Sequence, residues 1–525
     1  MALGACVRPA LALAALVTAA AALHGVSPTT SDPDGFYHIR HAWVYRTQGL
    51  FDSGFPWARF SAIRDQASDL WYGLHVLLVP FSLPDNLLHG LLAGGVAVTG
   101  ATLVLLFLAF QRLELVWPLA WVVAFAATGD VLFRITMLRP QPLSLGLAVL
   151  ALGALASPRA PRRAAWLFFV SLAAAWIHLA LAWLVPLVAA AFAACSLAHG
   201  RRAEWTAAGA TLAGTLCGAL LRPNPLGAAR LVWIQIGLFL DVKRLGLPLP
   251  FGSELQPLAL ALDGPRLVLP ALALLALAAV FARRLRLERA RGEPARVAAW
   301  TSLSLCLLFT LLSLRVASRS IELAAAFGAA FAGLVFSEQW RSTTRRSRIA
   351  AAAALSLVLL AQVPLSLERY HARVQGARPL LAFRGASLWL AANARPGELV
   401  FHAWWDQFAH LFFWNPRNHY LGGMDPLFQY AHDEALFWKA HWLALDEAPQ
   451  ATCGEPACGP NQDEPTSLVL RRDFGASFVL VHRFVNPRLD RHLASRPEFV
   501  RVFDDGTDVL YRVQYDAARL PGGTP

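Results

Sequence analysis

Residues 87–110 read LLHGLLAGGVAVTGATLVLLFLAF, an apolar run without a single Asp, Glu, Lys or Arg. A helix of about 17–25 such residues spans the hydrocarbon core of a bilayer. Comparable runs recur through the first 366 residues and then stop, which predicts an α-helical polytopic membrane protein. We predict eleven transmembrane helices, near residues 7–26, 87–110, 115–128, 141–156, 165–180, 181–198, 205–221, 265–282, 297–314, 321–338 and 349–366.

The composition of the 525-residue chain excludes several classes of protein. Hydrophobic residues make up 56% of it and charged residues 15%, whereas a typical soluble domain has about 25% charged residues. This balance argues against a purely soluble enzyme and against intrinsic disorder. The formal net charge of +12 would suit a nucleic-acid partner only if the charges shared one exposed face.

The basic residues instead follow the predicted membrane topology. With the N-terminus inside, the inner segments hold 17 arginines and five acidic residues, whereas the outer segments and the tail are nearly neutral. This asymmetry obeys the positive-inside rule, so we expect membrane lipid as a partner and no nucleic acid. The expected location is the inner or plasma membrane. A cleaved signal peptide is the alternative interpretation of the first apolar run.

The chain is expected to have two domains, a membrane domain at 1–366 and an extracytoplasmic domain at 367–525. The membrane domain carries a long first outer loop, 27–86. A further outer loop, 222–264, is rich in Pro, Gly and Leu, and it is a candidate for dipping back into the membrane interface.

The tail changes character to short alternating or β-rich runs, which predict a small α/β domain. An Asp505-Gly506 pair between two of these runs is a hairpin signal. The tail also holds a C-x4-C pair, Cys453 and Cys458, for which a disulfide and two free thiols both remain open. The predicted strands cover residues 398–402, 477–482, 499–504 and 509–513.

The first outer loop opens with SDPDGFYHIR at residues 31–40, directly after the first predicted span. One interpretation is a helix N-terminus, with Ser31 or Asp32 as the cap and Pro33 at the first helical position. That interpretation leaves Asp34 and the nearby His and Arg unexplained. Two carboxylates here could accept a proton from an acceptor hydroxyl or hold a divalent cation over a lipid-linked phosphate.

Two further groups of residues are candidates for binding. Trp404, Trp405 and Asp406 begin a run dense in polar and aromatic residues that could bind a sugar, or could close the tail against the membrane interface. Arg315 and Arg319 lie in a very short outer turn. Ionisable groups at this depth usually have a partner or a ligand. Arg319 therefore either binds a ligand or pairs with Glu322 one helical turn later.

The DPDGFYHIR stretch resembles the first-loop motif of oligosaccharyltransferase catalytic subunits, which are polytopic enzymes of the GT-C glycosyltransferase superfamily. The order of one span, a long outer loop, many spans and an outer domain is also similar. The resemblance implies a GT-C-like fold and assigns Asp32, with Asp34 beside it, to the aspartate that approaches acceptor and metal. It likewise implies that Arg319 binds the donor phosphate and that the Trp404-Trp405-Asp406 triplet, similar to a WWDYG motif, binds the acceptor.

The sequence departs from that family in the second outer loop. No acidic pair follows Arg134, and Arg139 and Gln141 occupy the stretch instead, with Asp130 as a possible substitute. A site for Mg²⁺ or Mn²⁺ on Asp32 and Asp34 is therefore doubtful. Arg139 suits phosphate binding without a metal.

The leading hypothesis is an inverting membrane glycosyltransferase that moves a sugar from a polyprenyl-phosphate-linked donor to a glycan, lipid or protein acceptor at the outer face. Asp32 and Asp34 would be catalytic, and Arg139, Arg319 and Arg315 would hold the donor phosphate. Two alternatives stay open. One is a transporter or flippase for a lipid-linked glycan, and the other is a non-catalytic GT-C relative in envelope glycan assembly.

Overall fold

The computed structural model describes residues 2–25, 32–157, 162–287 and 294–515. The chain forms two compact units, each assembled from three segments. Unit 1 comprises Met1–Asp32, Trp71–Arg222 and Phe251–Arg378, and unit 2 comprises Pro33–Leu70, Pro223–Pro250 and Pro379–Pro525. Much of the first outer loop thus belongs to the same unit as the tail.

Helices dominate the described residues. They are α1 (Ala2–Gly25), α2 (Asp34–Gln48), α3 (Ala62–Gln66), α4 (Tyr72–Leu78), α5 (Leu87–Arg112), α6 (Pro118–Ala126), α7 (Val131–Ile135), α8 (Gln141–Ala156), α9 (Arg163–Ile177), α10 (Leu184–Ala198), α11 (Trp205–Leu220), α12 (Pro225–Trp233), α13 (Phe239–Leu245), α14 (Leu260–Leu287), α15 (Pro294–Arg315), α16 (Ile321–Ser342), α17 (Arg345–Gln375), α18 (Arg384–Asn393), α19 (Phe408–Trp414), α20 (Pro426–Tyr430), α21 (Glu434–Leu445), α22 (Thr466–Arg472) and α23 (Pro487–Ala494).

Every apolar run predicted to cross the membrane coincides with a helix of the described residues. The α-helical polytopic class is therefore confirmed, whereas the number of eleven spans stays a prediction. Six helices in the described part of the chain are long and apolar enough to cross a bilayer: Leu87–Arg112, Leu179–Ala198, Pro225–Leu245, Pro294–Arg315, Ser318–Ser342 and Arg345–Gln375. Shorter apolar helices cover Pro9–Gly25, Tyr72–Ser82, Gln141–Ala156, Arg163–Ile177 and Leu267–Ala282.

Small residues bring α9 and α11 of unit 1 into close contact. Gly214 and Gly218 lie one turn apart on α11, and a Cβ on either would overlap the backbone carbonyl oxygen of Phe168 or Leu172 on α9. Such pairs let helix backbones approach where lipid supplies no hydrophobic driving force between helices. The two glycines therefore fix how this helix pair packs.

Unit 2 contains the predicted small α/β domain. Its five-stranded sheet has the order β2-β1-β5-β7-β6, with β1 parallel to β2 and β5, and β7 antiparallel to β5 and β6. All four predicted strands are present, and Cys453 and Cys458 form a disulfide. The strands are β1 (Leu399–His402), β2 (His419–Tyr420), β3 (Ala451–Thr452), β4 (Glu464–Pro465), β5 (Phe478–His482), β6 (Phe499–Asp504) and β7 (Asp508–Val513).

The first outer loop adds an edge segment to this sheet. Ala58 bridges in parallel to Tyr420 of β2. The Arg59 N–H donates to the Tyr420 carbonyl at 2.8 Å, and the Phe60 N–H donates to the Leu421 carbonyl at 2.8 Å. Loop and tail therefore share backbone hydrogen bonds within unit 2.

One local prediction needs correction, and one predicted loop contains more regular structure than its composition indicated. Helix α2 begins at Asp34, with Pro33 at the cap position and no side-chain cap, one residue later than predicted; Ser31 lies outside the described residues. The Asp32 carboxylate, one of the two predicted caps, accepts hydrogen bonds from Arg139. The predicted outer loop 222–264 contains the helical residues 225–245, the short 3-10 helix Ser253–Leu255 and the first residues of α14.

Candidate active site

Asp32 is buried in unit 1, with 3% of its surface exposed, and its carboxylate is paired with Arg139. The Nε and Nη2 groups of Arg139 donate to the two different oxygens of Asp32, and the Nη2–Oδ1 distance is 2.6 Å. This bidentate geometry fixes both the position and the orientation of the Asp32 carboxylate. Arg139 lies directly before α8, in the loop where the sequence departs from the oligosaccharyltransferase pattern.

Arg139 also binds a second carboxylate, Glu254, which the sequence did not suggest. Its Nη1 group donates to Glu254 Oε1 at 3.1 Å. Glu254 lies in a short 3-10 helix, Ser253–Leu255. Burial alone would raise the pKa of Glu254, but Arg139, Arg134 and hydrogen bonds outweigh burial and lower the pKa to about 2. Glu254 is therefore ionised at neutral pH.

Backbone hydrogen bonds hold the Glu254 segment next to the turn that carries Arg319. The Ser318 N–H donates to the Gln256 carbonyl at 2.7 Å, and the Ser318 hydroxyl lies 3.3 Å from the Glu254 carbonyl. Arg319 occupies the short 3-10 helix Ser318–Ser320 that follows α15. The structure therefore brings the Arg139 and Arg319 segments to the same region of unit 1.

Glu322 forms an ion pair with Arg134 of α7, and the distance from Arg134 Nη1 to Glu322 Oε1 is 3.2 Å. Arg319 and Arg139 also act electrostatically on Glu322, so the predicted Arg319–Glu322 interaction is one part of a wider network. Six charged residues make up this network, three acidic and three basic: Asp32, Glu254, Glu322, Arg134, Arg139 and Arg319. A phosphate bound by Arg139 would compete with the carboxylates of Asp32 and Glu254 for the same guanidinium.

Arg315, Asp34 and Asp130 are not among these six residues. Arg315 is exposed in the last turn of α15. Asp34 occupies the first turn of α2 in unit 2. Asp130, the possible substitute for the missing acidic pair, makes an ion pair with Arg373 of α17 at 2.7 Å.

The Trp404-Trp405-Asp406 triplet follows β1 in unit 2, and each of its residues is half-buried. The Trp405 indole N–H donates to the Pro250 carbonyl at 2.9 Å. The Trp404 indole nitrogen is buried and has no hydrogen-bond partner among the described residues. Because buried polar groups are normally paired, this N–H is a donor suited to a polar ligand.

The residues near Asp32 offer a divalent cation a poor set of ligands. Both oxygens of Asp32 accept hydrogen bonds from the Arg139 guanidinium. A cation on this carboxylate would therefore lie against a positive charge, and Arg139 supplies the charge that a metal would otherwise supply.

Comparisons by sequence found no matching protein-family model and no matching curated protein. Solved structures do match. An oligosaccharyltransferase from Archaeoglobus fulgidus, tethered to an acceptor peptide containing the NVT sequon, has a TM-score of 0.56 at 11% identity, over 96% of this chain and 74% of that one. ArnT from Cupriavidus metallidurans has TM-scores of 0.53 without ligand, at 14% identity, and 0.55 bound to undecaprenyl phosphate, at 12%.

Each ArnT match covers 97% of this chain and 98% of that one. The matched oligosaccharyltransferase and ArnT are both GT-C glycosyltransferases. At these identities the likeness concerns the fold. The chain therefore has a GT-C-like fold, as its sequence predicted, with a distant resemblance to oligosaccharyltransferases.

Proposed function

We propose that this protein is a GT-C-type glycosyltransferase that moves a sugar from a polyprenyl-phosphate-linked donor to an acceptor at the outer face of the membrane. The observation that carries the proposal is the buried Asp32 carboxylate, which Arg139 orients inside a balanced network of charges. The fold supports it, since ArnT of this fold has been solved bound to undecaprenyl phosphate.

Asp32 is the proposed base. It takes the proton of an acceptor hydroxyl as the acceptor oxygen forms its bond to the anomeric carbon. The bond between that carbon and the phosphate oxygen breaks, and its electron pair leaves with the phosphate. Attack from the side opposite the leaving phosphate inverts the anomeric centre.

Arg139 and Arg319 are the proposed ligands of the leaving phosphate, with Arg315 as a third. Guanidinium groups neutralise the negative charge that develops on the phosphate as the glycosidic bond breaks. Binding of the donor phosphate would draw Arg139 away from Glu254, since both compete for the same guanidinium. Asp34 is a proposed second acidic group beside Asp32.

Trp404, Trp405 and Asp406 are the proposed acceptor-binding residues. The supporting observation is the buried indole N–H of Trp404, which lacks an acceptor among the described residues. Aromatic side chains with a polar group suit the mixed apolar and polar faces of a sugar. The acceptor in the matched oligosaccharyltransferase structure is a peptide with an NVT sequon.

The test is complementation of a deletion strain, with surface glycans and lipid-linked intermediates analysed by mass spectrometry. Asp32→Asn keeps the shape of the side chain and removes the base, so we expect product to fall at least about 100-fold. The matched control is Asp52→Asn, which changes an exposed carboxylate in the same loop and should restore the glycan fully.

The outcomes separate the hypotheses. A glycan that is one sugar short, in both the deletion and the Asp32→Asn strain, supports the enzyme. Intact intermediates that accumulate inside the deletion strain would indicate a flippase. Full complementation by normally expressed Asp32→Asn would contradict the catalytic role and favour a non-catalytic relative.

A further inference from the structure

Residues 225–245 of unit 2 form one continuous helix, because the π-helical turn Ile234–Leu238 joins α12 to α13. Leu226, Trp233 and Leu240 are 77%, 69% and 50% exposed. Ala229 and Ile236 are exposed as well. The spacing of three and four residues places Leu226, Ala229 and Trp233 on one face of α12, and Ile236 and Leu240 continue the exposed apolar positions through the π-helical turn into α13. We call this face the 226–240 stripe.

The opposite face of the helix is packed against unit 2. Its buried residues are Gly227, Ala228, Leu231, Phe239 and Val242. At the N-terminal end the Asn224 side-chain amide donates to the Gln66 carbonyl at 2.6 Å. The helix is therefore fixed on its unit, and the 226–240 stripe is its outward apolar face.

We propose that the 226–240 stripe binds membrane lipid, so that residues 225–245 lie in the plane of the outer interface and do not cross the bilayer. Chain connectivity supports this occupant. Helix α11, a predicted span, ends at Leu220, only five residues before Pro225. Five residues reach at most about 18 Å, so the helix must begin near the membrane surface at which α11 ends.

The charges of the helix favour an in-plane position over a span. Arg230, Lys243 and Arg244 accompany a single acidic residue, Asp241. In a span, Arg230 would lie in the second helical turn, where a charge still has a cost, although a smaller one than at the centre of the bilayer. Basic residues and a tryptophan are instead typical of helices that lie in the interface and attract anionic headgroups.

A span at this position would also conflict with the distribution of charge. One additional crossing would move every later loop to the other side of the membrane. The basic segments after α14 and α16 would then face outward, against the positive-inside rule. An in-plane helix leaves the topology unchanged.

The test is to measure how deep spin labels lie in the membrane. Single cysteines would replace each stripe residue in turn, in a chain whose free cysteines have been changed to alanine and whose Cys453–Cys458 disulfide is kept. The labelled, monodisperse full-length proteins would be placed in vesicles of phosphatidylcholine and phosphatidylglycerol. Accessibility to oxygen and to a water-soluble nickel chelate then gives the depth of each label. The positions are Leu226→Cys, Ala229→Cys, Trp233→Cys, Ile236→Cys and Leu240→Cys.

Two matched positions calibrate the measurement. Leu212→Cys lies in the middle of α11 and is exposed, so it reports a deep position, whereas Ser495→Cys is exposed after α23 and reports water. We expect all five stripe positions at one shallow depth, about 5–10 Å below the headgroups. Depths that increase to the centre and decrease again would establish a span, and values like those of Ser495→Cys would show that no lipid is bound. Either result overturns the proposal without bearing on the role of Asp32.

Discussion

At the scale of single residues, Arg139 joins two carboxylates that are far apart in the sequence. Its guanidinium binds Asp32 with two groups and Glu254 with the third. Removing Arg139 would leave two largely buried carboxylates without their cation, which is strongly destabilising. Changes at Arg139 therefore mix stability with function, and Glu254 is the cleaner position at which to examine the network.

Glu254→Gln is expected to lower stability in a manner that depends on pH. The pKa of Glu254 is about 2 in the folded chain, below its ordinary value of 4.5. Because its pKa is lowered by folding, the ionised Glu254 carboxylate stabilises the fold fully above about pH 4.5, and this stabilisation is lost as the pH falls toward 2. We expect the free energy of unfolding at pH 7 to be lower than that of wild type by roughly 2–3 kcal/mol, and the difference to be smaller at pH 3.

Thermal unfolding of the detergent-solubilised proteins measures this difference. The matched control is Glu447→Gln, which alters an exposed carboxylate in unit 2 and should match wild type at both pH values. A Glu254→Gln deficit that is equal at pH 7 and pH 3 would show that the ion pair with Arg139 is not its source.

Some site residues could be predicted and others could not, for a physical reason. Asp32, Arg139 and Arg319 were found because charged residues next to apolar runs are conspicuous. Glu254 gave no such signal, because its partner is 115 residues away and no local spacing relates the two. For the same reason the sequence suggested a pairing of Glu322 within one helix turn and missed Arg134.

At the scale of elements, hydropathy predicted the eleven apolar helices of unit 1, and alternation and turn signals predicted four of the seven strands among the described residues. The apolar runs of unit 1 became helices, and the Asp505-Gly506 signal lies between β6 and β7 as expected. The helix at residues 225–245 lies within the predicted outer loop 222–264, and it had no separate signal in the sequence because an amphipathic segment with charged residues is less apolar than a predicted span. The edge segment at Ala58 had no signal, since its pairing partner lies in the tail.

Arg59→Pro is expected to release this edge segment. Proline lacks the N–H that donates to the Tyr420 carbonyl. Tyr420 is fully buried, so its unpaired oxygen would cost about 1–3 kcal/mol. We expect faster hydrogen exchange and faster proteolysis of residues 49–66. Arg59→Ala keeps the N–H and should behave like wild type, and equal protection of the two variants would show that this hydrogen bond is dispensable.

At the scale of the whole molecule, two independent features bear on which side of the membrane the tail occupies. The net charge of +12 is concentrated in segments predicted to lie inside, which is the ordinary consequence of membrane insertion. The Cys453–Cys458 disulfide is of the kind that forms and persists in oxidising compartments. Both point to an extracytoplasmic tail.

This orientation predicts how single cysteines react with a maleimide that cannot cross membranes. Ser495→Cys lies in the tail and Ser342→Cys at the end of α16, and both positions are exposed. In spheroplasts, Ser495→Cys should be labelled at once, whereas Ser342→Cys should react only after permeabilisation. The disulfide-bonded cysteines do not react, so they can stay in place while the free cysteines are replaced by alanine. The reverse pattern would place the tail inside. Labelling of both positions from outside would require an even number of membrane crossings between Ser342 and Ser495. Helix α17 alone supplies one crossing between them, so this outcome would contradict the predicted topology.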